Sequence, residues 1–303
     1  MKIINFGSLN IDIFFRVNHI VKPGETISAQ SIEKRAGGKG LNQSIALVKN
    51  FDKVYHAGSV GSDGAFLKEY LKGEGIDTSF IKESKNPTGN AIIQVDDKGE
   101  NSIVLYKGAN FDNDKEYIAQ VLSKFDKDDI LVLQNEINNM EYIIDMGYKK
   151  QMKLVLNPSP ITKEVKKFDL NKIDLLLVNE TEAKEITNCQ DIDQIIEYFR
   201  ENYPDLKVVI TLGCNGSIFV DKENKICQEA YNVEAVDSTG AGDTFTGFFV
   251  AEFYKNKDVN DCLKLATKAS ALSVTKQGAS ISIPNIEEVK KFDEEDLWKK
   301  KAY

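Results

Sequence analysis

Apolar residues along this chain fall into two alternating kinds of segment. Short unbroken runs rich in Val, Ile and Leu occur at Ile3–Gly7, Lys53–Ser59, Ile130–Gln134, Lys153–Leu156, Leu175–Val178 and Lys207–Leu212. Between them lie segments whose apolar positions recur every three or four residues, at Gly40–Asn50, Ala65–Lys72, Lys115–Phe125, Met140–Lys149 and Ile192–Asn202. Runs of the first kind fit strands covered on both faces, and the second period fits amphipathic helices. The alternation predicts an α/β fold with a mostly parallel central sheet and right-handed crossovers.

Two regions break the rhythm. Residues 11–35 contain no helical period and alternate apolar with polar, as in Ile13-Phe-Phe-Arg-Val17 and Thr26-Ile-Ser-Ala-Gln-Ser-Ile32. Residues 89–107 do the same, and Asp96-Asp-Lys-Gly-Glu100 between Asn90–Val95 and Asn101–Tyr106 reads as the turn of a hairpin. These pieces predict a small extra β-sheet, a discontinuous lid on one α/β domain spanning 1–303. Such a sheet serves as a cover over a site, as a surface that pairs two chains, or as both. The charged tail, Phe292–Tyr303, reads as a solvated helical end.

Composition narrows the chemistry. A net charge of −8 argues against general nucleic-acid or membrane-surface binding. It does not exclude ATP, because a local nest of amides holds phosphate within an acidic protein. No apolar run reaches the length of a membrane span, and Met1–Gly7 reads as a first strand rather than a signal peptide. The four cysteines (Cys189, Cys214, Cys227, Cys262) lack metal-type spacing, so free thiols and a cytoplasmic location are expected. Only two histidines exist, His19 and His56, and His56 sits in an apparent buried strand. A Ser-His-Asp or His-metal mechanism has almost nothing to draw on. Carboxylates, lysines and backbone amides must carry the reaction.

The densest chemistry lies in Asp237-Ser-Thr-Gly-Ala-Gly-Asp243-Thr-Phe-Thr-Gly247. If Thr244–Lys255 is a helix, Gly240, Ala241 and Gly242 turn their N–H groups outward at its start, where free donors and the helix dipole favour an anion. Asp243 would repel a resting phosphate, so its position suits a base that takes a proton while a phosphoryl group arrives. A plain helix N-cap reads the same residues differently. Gly7-Ser-Leu-Asn-Ile-Asp12 places Asn10 and Asp12 on one face just after the first strand, as donors and acceptors for sugar hydroxyls or as part of a turn. Ala36-Gly-Gly-Lys-Gly-Leu-Asn42-Gln opens a helix without the spacing of a Walker phosphate loop. Its glycines let amides approach a small ligand, with Lys39 and Asn42 aimed from the helix start, although a glycine-rich helix start alone also fits. Asn179-Glu-Thr-Glu182 has the form of a capping box.

Taken in order, Gly7–Asp12, Gly37–Gln43, Asn157-Pro158, Asn179–Glu182, Thr211-Leu-Gly213 with Gly216, and Asp237–Phe245 resemble the ribokinase-type (PfkB) carbohydrate kinases over nearly the whole chain. Leu133-Gln-Asn-Glu136 is similar to the strand end where such kinases place a glutamate on the sugar. The resemblance implies a three-layer sandwich with a β lid that also pairs two subunits. It implies transfer of the γ-phosphate of ATP to the 5-hydroxyl of ribose, with deoxyribose, a ketohexose or a ribonucleoside as alternatives. Asn10, Asp12, Gly38, Lys39, Asn42 and Glu136 would hold the sugar, and Asp243 would be the general base. Gly240, Ala241 and Gly242 would form the anion hole. Asn179 and Glu182 would lie by the phosphates and a water-coordinated Mg2+, and Thr211, Gly213, Gly216 and Thr267 by the nucleotide. Asp237, with Thr239, Gly278 and Ser282, would bind a monovalent cation such as K+. The sequence departs from many relatives at Asn90, a polar residue on the lid expected to add a substrate contact, and at Thr267, where some carry His.

Overall fold

The computed structural model describes residues 1–292; the predicted helical tail therefore lies outside the described residues. A nine-stranded sheet forms the middle layer. Its strands are β1 (Ile3–Phe6), β4 (Val54–Val60), β5 (Asp77–Glu83), β8 (Ile130–Gln134), β9 (Lys153–Asn157), β10 (Leu175–Asn179), β11 (Lys207–Thr211), β12 (Ser217–Val220) and β13 (Lys225–Gln228), in the order β13-β12-β11-β10-β9-β8-β1-β4-β5. Pairing is parallel from β5 to β11, and β12 and β13 close one edge antiparallel. The apolar runs foretold the six inner strands. The edge strands β5 and β13 escaped, because an edge strand is only partly buried and lacks a continuous apolar run: Asp77–Glu83 reads DTSFIKE. Strand β12, paired on both sides and buried throughout, escaped because its four residues, Ser217–Val220, are too short a run to stand out.

Within each inner strand the side chains divide by parity. Ile130 and Val132 of β8 face one core with α1 (Lys39–Val48), α7 (Ala241–Phe253) and α8 (Val259–Val274), while Leu131 and Leu133 face the other with α3 (Lys115–Leu122), α4 (Met140–Lys149) and α6 (Ile192–Asn202). Three layers, α/β/α, result. Helix α7 is apolar nearly all round, burying Phe245, Phe248, Phe249 and Val250, as a helix enclosed between α1 and α8 must be. Gly247 permits the close approach of α7 to α1, since a Cβ there would lie 2.3 Å from the Ala46 Cβ.

The second sheet, of order β3-β2-β6-β7, comprises β2 (Asn10–Arg16), β3 (Ser31–Gly37), β6 (Gly89–Val95) and β7 (Asn101–Tyr106). The hairpin is present, with Asp96 Oδ1 accepting from the N–H groups of Lys98 and Glu100, each at 2.9 Å. One expectation needs correcting: residues 26–29 are not strand. They lie on the surface without a pairing strand among the described residues, and the strand starts at Ser31 and runs into the Gly37 motif.

Candidate active site

From β1 the chain proceeds to β4 and β5 on one side and later to β8 through β11 on the other. The crevice beyond the carboxyl ends of β1 and β8 is therefore the topological switch point, where ligands bind in open α/β sheets. Ser8 and Asn10 follow β1, Glu136 follows β8, and α1 starts against both. The Lys39 N–H donates to Glu136 Oε2 at 3.0 Å, and the Gly40 N–H donates to Ser8 Oγ at 3.1 Å. Ser8 Oγ in turn donates to Glu136 Oε2. The open donors of the first turn of α1 thus fasten the two strand ends together.

What remains unpartnered here is informative. Glu136 Oε1, the Asn10 Nδ2 group and the Asp12 carboxyl have no protein hydrogen-bond partner among the described residues. Burial pushes the Asp12 carboxyl up from 3.8 to about 7, with the Glu136 charge adding to the rise and the Arg35 charge opposing it. Burial likewise raises Glu136, against the pull of Lys39. Two partly dehydrated acids with free oxygens suit a ligand rich in hydroxyl groups. Asn10 is fixed by Asn110, whose Nδ2 donates to Asn10 Oδ1 at 2.7 Å and whose Oδ1 accepts from the Leu9 N–H at 2.9 Å. Asn110 carries no motif, and nothing local in the sequence singled it out. A cavity of about 660 Å3 begins at Asn10 and Glu136 and runs towards Phe111, Tyr142 and Phe168. Asp243 does not border it, so the turn before α7, rather than this hollow, marks the reacting end.

That turn also meets the start of α1. Helix α7 begins at Ala241, three residues ahead of the expected Thr244, with Gly240 as its N-cap in the left-handed region (φ 78). Asp243 is thereby in the first turn and 5% exposed. The N–H groups of Gly240, Gly242 and Asp243 take no partner among the described residues, whereas the Ala241 N–H turns back to the Ser238 carbonyl at 3.2 Å. The expected trio of donors is therefore altered, because the tight turn consumes the middle one. Asn42 Nδ2 donates to Asp243 Oδ2 at 3.0 Å, and Gln43 Nε2 donates to Asp243 Oδ1 at 2.9 Å. The Lys39 ammonium stands 3.9 Å from Oδ1, and the Asp243 charge, with Glu136 and Glu182, raises the lysine. Asn42 Oδ1 is buried without a partner.

The remaining predicted residues lie along the same edge of the sheet or close to α7. Asn179 and Glu182 form a full capping box on α5 (Glu180–Thr187), leaving Glu182 Oε1 free. Thr211 ends β11. Gly213 (φ 59) is open, but Gly216 (φ 93) is required by the fold, since a Cβ would lie 2.0 Å from the Gln228 carbonyl oxygen. The Thr267 hydroxyl donates to the Leu263 carbonyl within α8 at 2.8 Å, so its proton is already spent. Asp237 accepts from the N–H groups of Thr239 and Gly278, each at 2.9 Å. Burial opposes its ionisation, but these bonds outweigh burial and hold the carboxyl below its ordinary value. Ser282 Oγ donates to the Ala279 carbonyl at 2.9 Å and keeps its lone pairs. Asn90 is corrected: the register pairs Asp12 with Ala91 and Ile11 with Asn90, which turns Asn90 to the face opposite Asp12. His56 is structural as read, buried and held near a pKa of about 3 by desolvation.

Fold and site define a small-molecule kinase: a switch-point crevice with unpartnered acids, joined to a helix start that combines free amides with a carboxylate. The sequence pattern of the pfkB family carbohydrate kinases matches residues 1–286, and the chain belongs to that family. It is 36% identical over 300 residues to the ribokinase of Staphylococcus aureus, covering 95% of this chain and 98% of that protein. The crystal structure of ribokinase from Cryptococcus neoformans in complex with ADP superposes with a TM-score of 0.85 at 32% identity, covering 96% of this chain and 99% of the other. Arabidopsis thaliana ribokinase complexed with ribose and ATP gives 0.82 at 29% identity over 96% and 99% of the two chains.

Proposed function

We propose that the protein transfers the γ-phosphate of ATP to the 5-hydroxyl of ribose, yielding ribose 5-phosphate and ADP. The observation that carries this reading is the placement of Asp243 in the first turn of α7, beside free backbone donors and one helix away from the unpartnered acids. Asn10, Asp12, Gly38, Lys39, Asn42 and Glu136 hold and orient the sugar. Asp243 accepts the hydroxyl proton as the oxygen attacks, which a neutral sugar alcohol needs. The N–H groups of Gly240 and Gly242, with the Lys39 ammonium, receive the charge of the phosphoryl oxygens; Ala241 lines the same turn. Thr211, Gly213, Gly216 and Thr267 border the nucleotide.

Glu182, with Oε1 free, and Asn179 would hold Mg2+ through water. This agrees with the habit of Mg2+ of resting on few carboxylates and substrate phosphates, and with the lack of any cluster of three or more His, Cys, Asp or Glu among the described residues. When bound, the ion supplies charge neutralisation at the phosphates. The Asp237 carboxylate, the carbonyls of Thr239 and Gly278 and the Ser282 hydroxyl are all hard oxygen donors with one formal charge, a set suited to K+. Such a cation supplies local charge compensation beside the turn that carries Asp243.

The four-stranded sheet acts as lid and as pairing surface in this reading. Ile32, Ile92, Val104 and Tyr106 leave apolar side chains exposed on it, which supports a homodimer. No helix among the described residues is long and apolar enough to cross a membrane, and we place the enzyme in the cytoplasm, without nucleic-acid partners. An ATP-coupled screen of pentoses, hexoses and nucleosides, reading kcat/KM for each, tests the substrate. Ribose should rank first; a rank below deoxyribose, a ketohexose or a ribonucleoside would overturn the substrate and leave the family intact.

A further inference from the structure

Behind Asp243 lies a chain of buried side-chain amides that the sugar and nucleotide roles leave unused. Gln43 Nε2 spends one hydrogen on Asp243 Oδ1 at 2.9 Å and the other on Asn157 Oδ1 at 3.0 Å. Gln43 Oε1 accepts from Gln134 Nε2 at 2.7 Å, and Gln134 Nε2 also donates to Asn5 Oδ1 at 2.9 Å. Asn5 Nδ2 donates to the Gly40 carbonyl at 2.7 Å and to Ser44 Oγ at 2.8 Å. Asn157 Nδ2 is anchored on the Leu177 carbonyl at 2.9 Å. Gln43, Gln134 and Asn5 are each fully buried.

Direction is what makes this chain more than packing. An ionised carboxylate only accepts, so the Gln43 amide must show it nitrogen and turn its oxygen away. That oxygen then needs a donor, which Gln134 provides, and Asn5 fixes the Gln134 amide in the same sense. Reversing any one of them would set donor against donor or acceptor against acceptor among fully buried groups. The chain ties β1, β8, β9 and α1 to the first turn of α7, five segments that are remote in sequence.

We propose that Gln43 is a positioning residue that aims the Asp243 carboxylate, with Gln134 locking the Gln43 amide in its donating orientation. Asn42 fixes Oδ2 and Gln43 fixes Oδ1, so the plane of the carboxylate is set from both ends. Misplacing a reacting group by about 1 Å costs on the order of a hundredfold in rate. The proposal rests on Asp243 acting as the base.

The test is rapid-quench measurement of the single-turnover rate of phosphoryl transfer, with sugar Kd by calorimetry, for Gln43→Met and Gln134→Met. Gln43→Met should slow transfer by about 10- to 100-fold and change sugar Kd by less than about threefold. Gln134→Met, which touches neither Asp243 nor the sugar residues, should show the same split at smaller amplitude. In an Asp243→Asn background Gln43→Met should cost less than about a further twofold, since a residue acting through another has nothing left to aim. A rate within threefold of the parent would overturn the proposal. So would an equal loss of rate and affinity, or a full loss persisting without Asp243. If Gln43→Met fails to fold, the Gln134→Met split decides by the same criteria. Should Asp243→Asn alone keep its rate, the base reading falls; an inactive Asp243→Asn with unimpaired Gln43 and Gln134 variants removes only the positioning role.

Discussion

The Lys39 ammonium and the Asp243 carboxylate stand 3.9 Å apart across the start of α1 and α7, the carboxylate buried and the lysine half-buried. The ammonium is thus already in place beside the base for the phosphoryl charge that follows. Asp243→Asn keeps the shape and the contact with Asn42 but cannot accept a proton. Turnover should fall by about 10²- to 10⁴-fold or more, with sugar still bound in calorimetry. Unchanged turnover would remove Asp243 from its role.

Asp12 should make both stability and sugar affinity depend on pH. Its folded pKa of about 7 exceeds the ordinary 3.8, so the folded state holds the proton more tightly than the unfolded chain. The stability associated with this group is complete below about pH 4 and is lost as pH rises through about 7. In thermal melts Asp12→Asn should equal the parent near pH 4 and melt several degrees higher at pH 8. Sugar hydroxyls donate to the ionised form, so parental Kd should tighten from pH 6 to pH 8, and in Asp12→Asn it should stay flat. A parallel pair of pH profiles would contradict the assignment.

Asn110 orients Asn10 from a hundred residues away. Asn110→Leu should raise KM for the sugar roughly 5- to 30-fold, the loss of about 1–2 kcal/mol of oriented hydrogen bonding, while kcat stays within about twofold. A fall in kcat at constant KM would show that Asn110 acts elsewhere.

Turnover should be faster in K+ than in Na+ or choline at equal ionic strength, and Asp237→Ala should abolish the difference. Equal rates in all three salts would count against the Asp237 loop as a cation site. Because Asp237 also fastens Thr239 and Gly278, the variant's melting temperature needs to be read alongside its rate.

Light scattering should report twice the 33.9 kDa chain mass. The double substitution Ile92→Glu with Val104→Glu places two charges on paired neighbours of the exposed apolar face and should yield a monomer. A monomeric parent would end the pairing argument.

The periodicity of the chain was enough to foretell the six inner strands, the helices between them and the second sheet, since burial on both faces or on one leaves its mark on consecutive residues. Local patterns, a glycine run closed by an acid and polar residues after a strand, singled out Asp243, Asn10 and Asp12 as candidates, while Glu136 was reached only through the family resemblance. Helix α7 starts three residues early, since its first turn is settled by the loop from Asp237 and by close packing on α1, not by the apolar period. The sequence made Asn90 a substrate contact; pairing with Ile11 turned it to the other face. Asn110 lay in no motif, and Gln43 and Gln134 stood inside motifs without anything to assign them a part. An amide side chain reads alike whether it caps, solvates or aims a base, and only its partners distinguish these. Those partners lie roughly 90 to 200 residues away along the chain, brought together by the order of the strands. What the local sequence determined is which residues have the chemistry; which of them hold one another in register was decided by the tertiary fold, because hydrogen bonds act over about 3 Å of space and not along the chain.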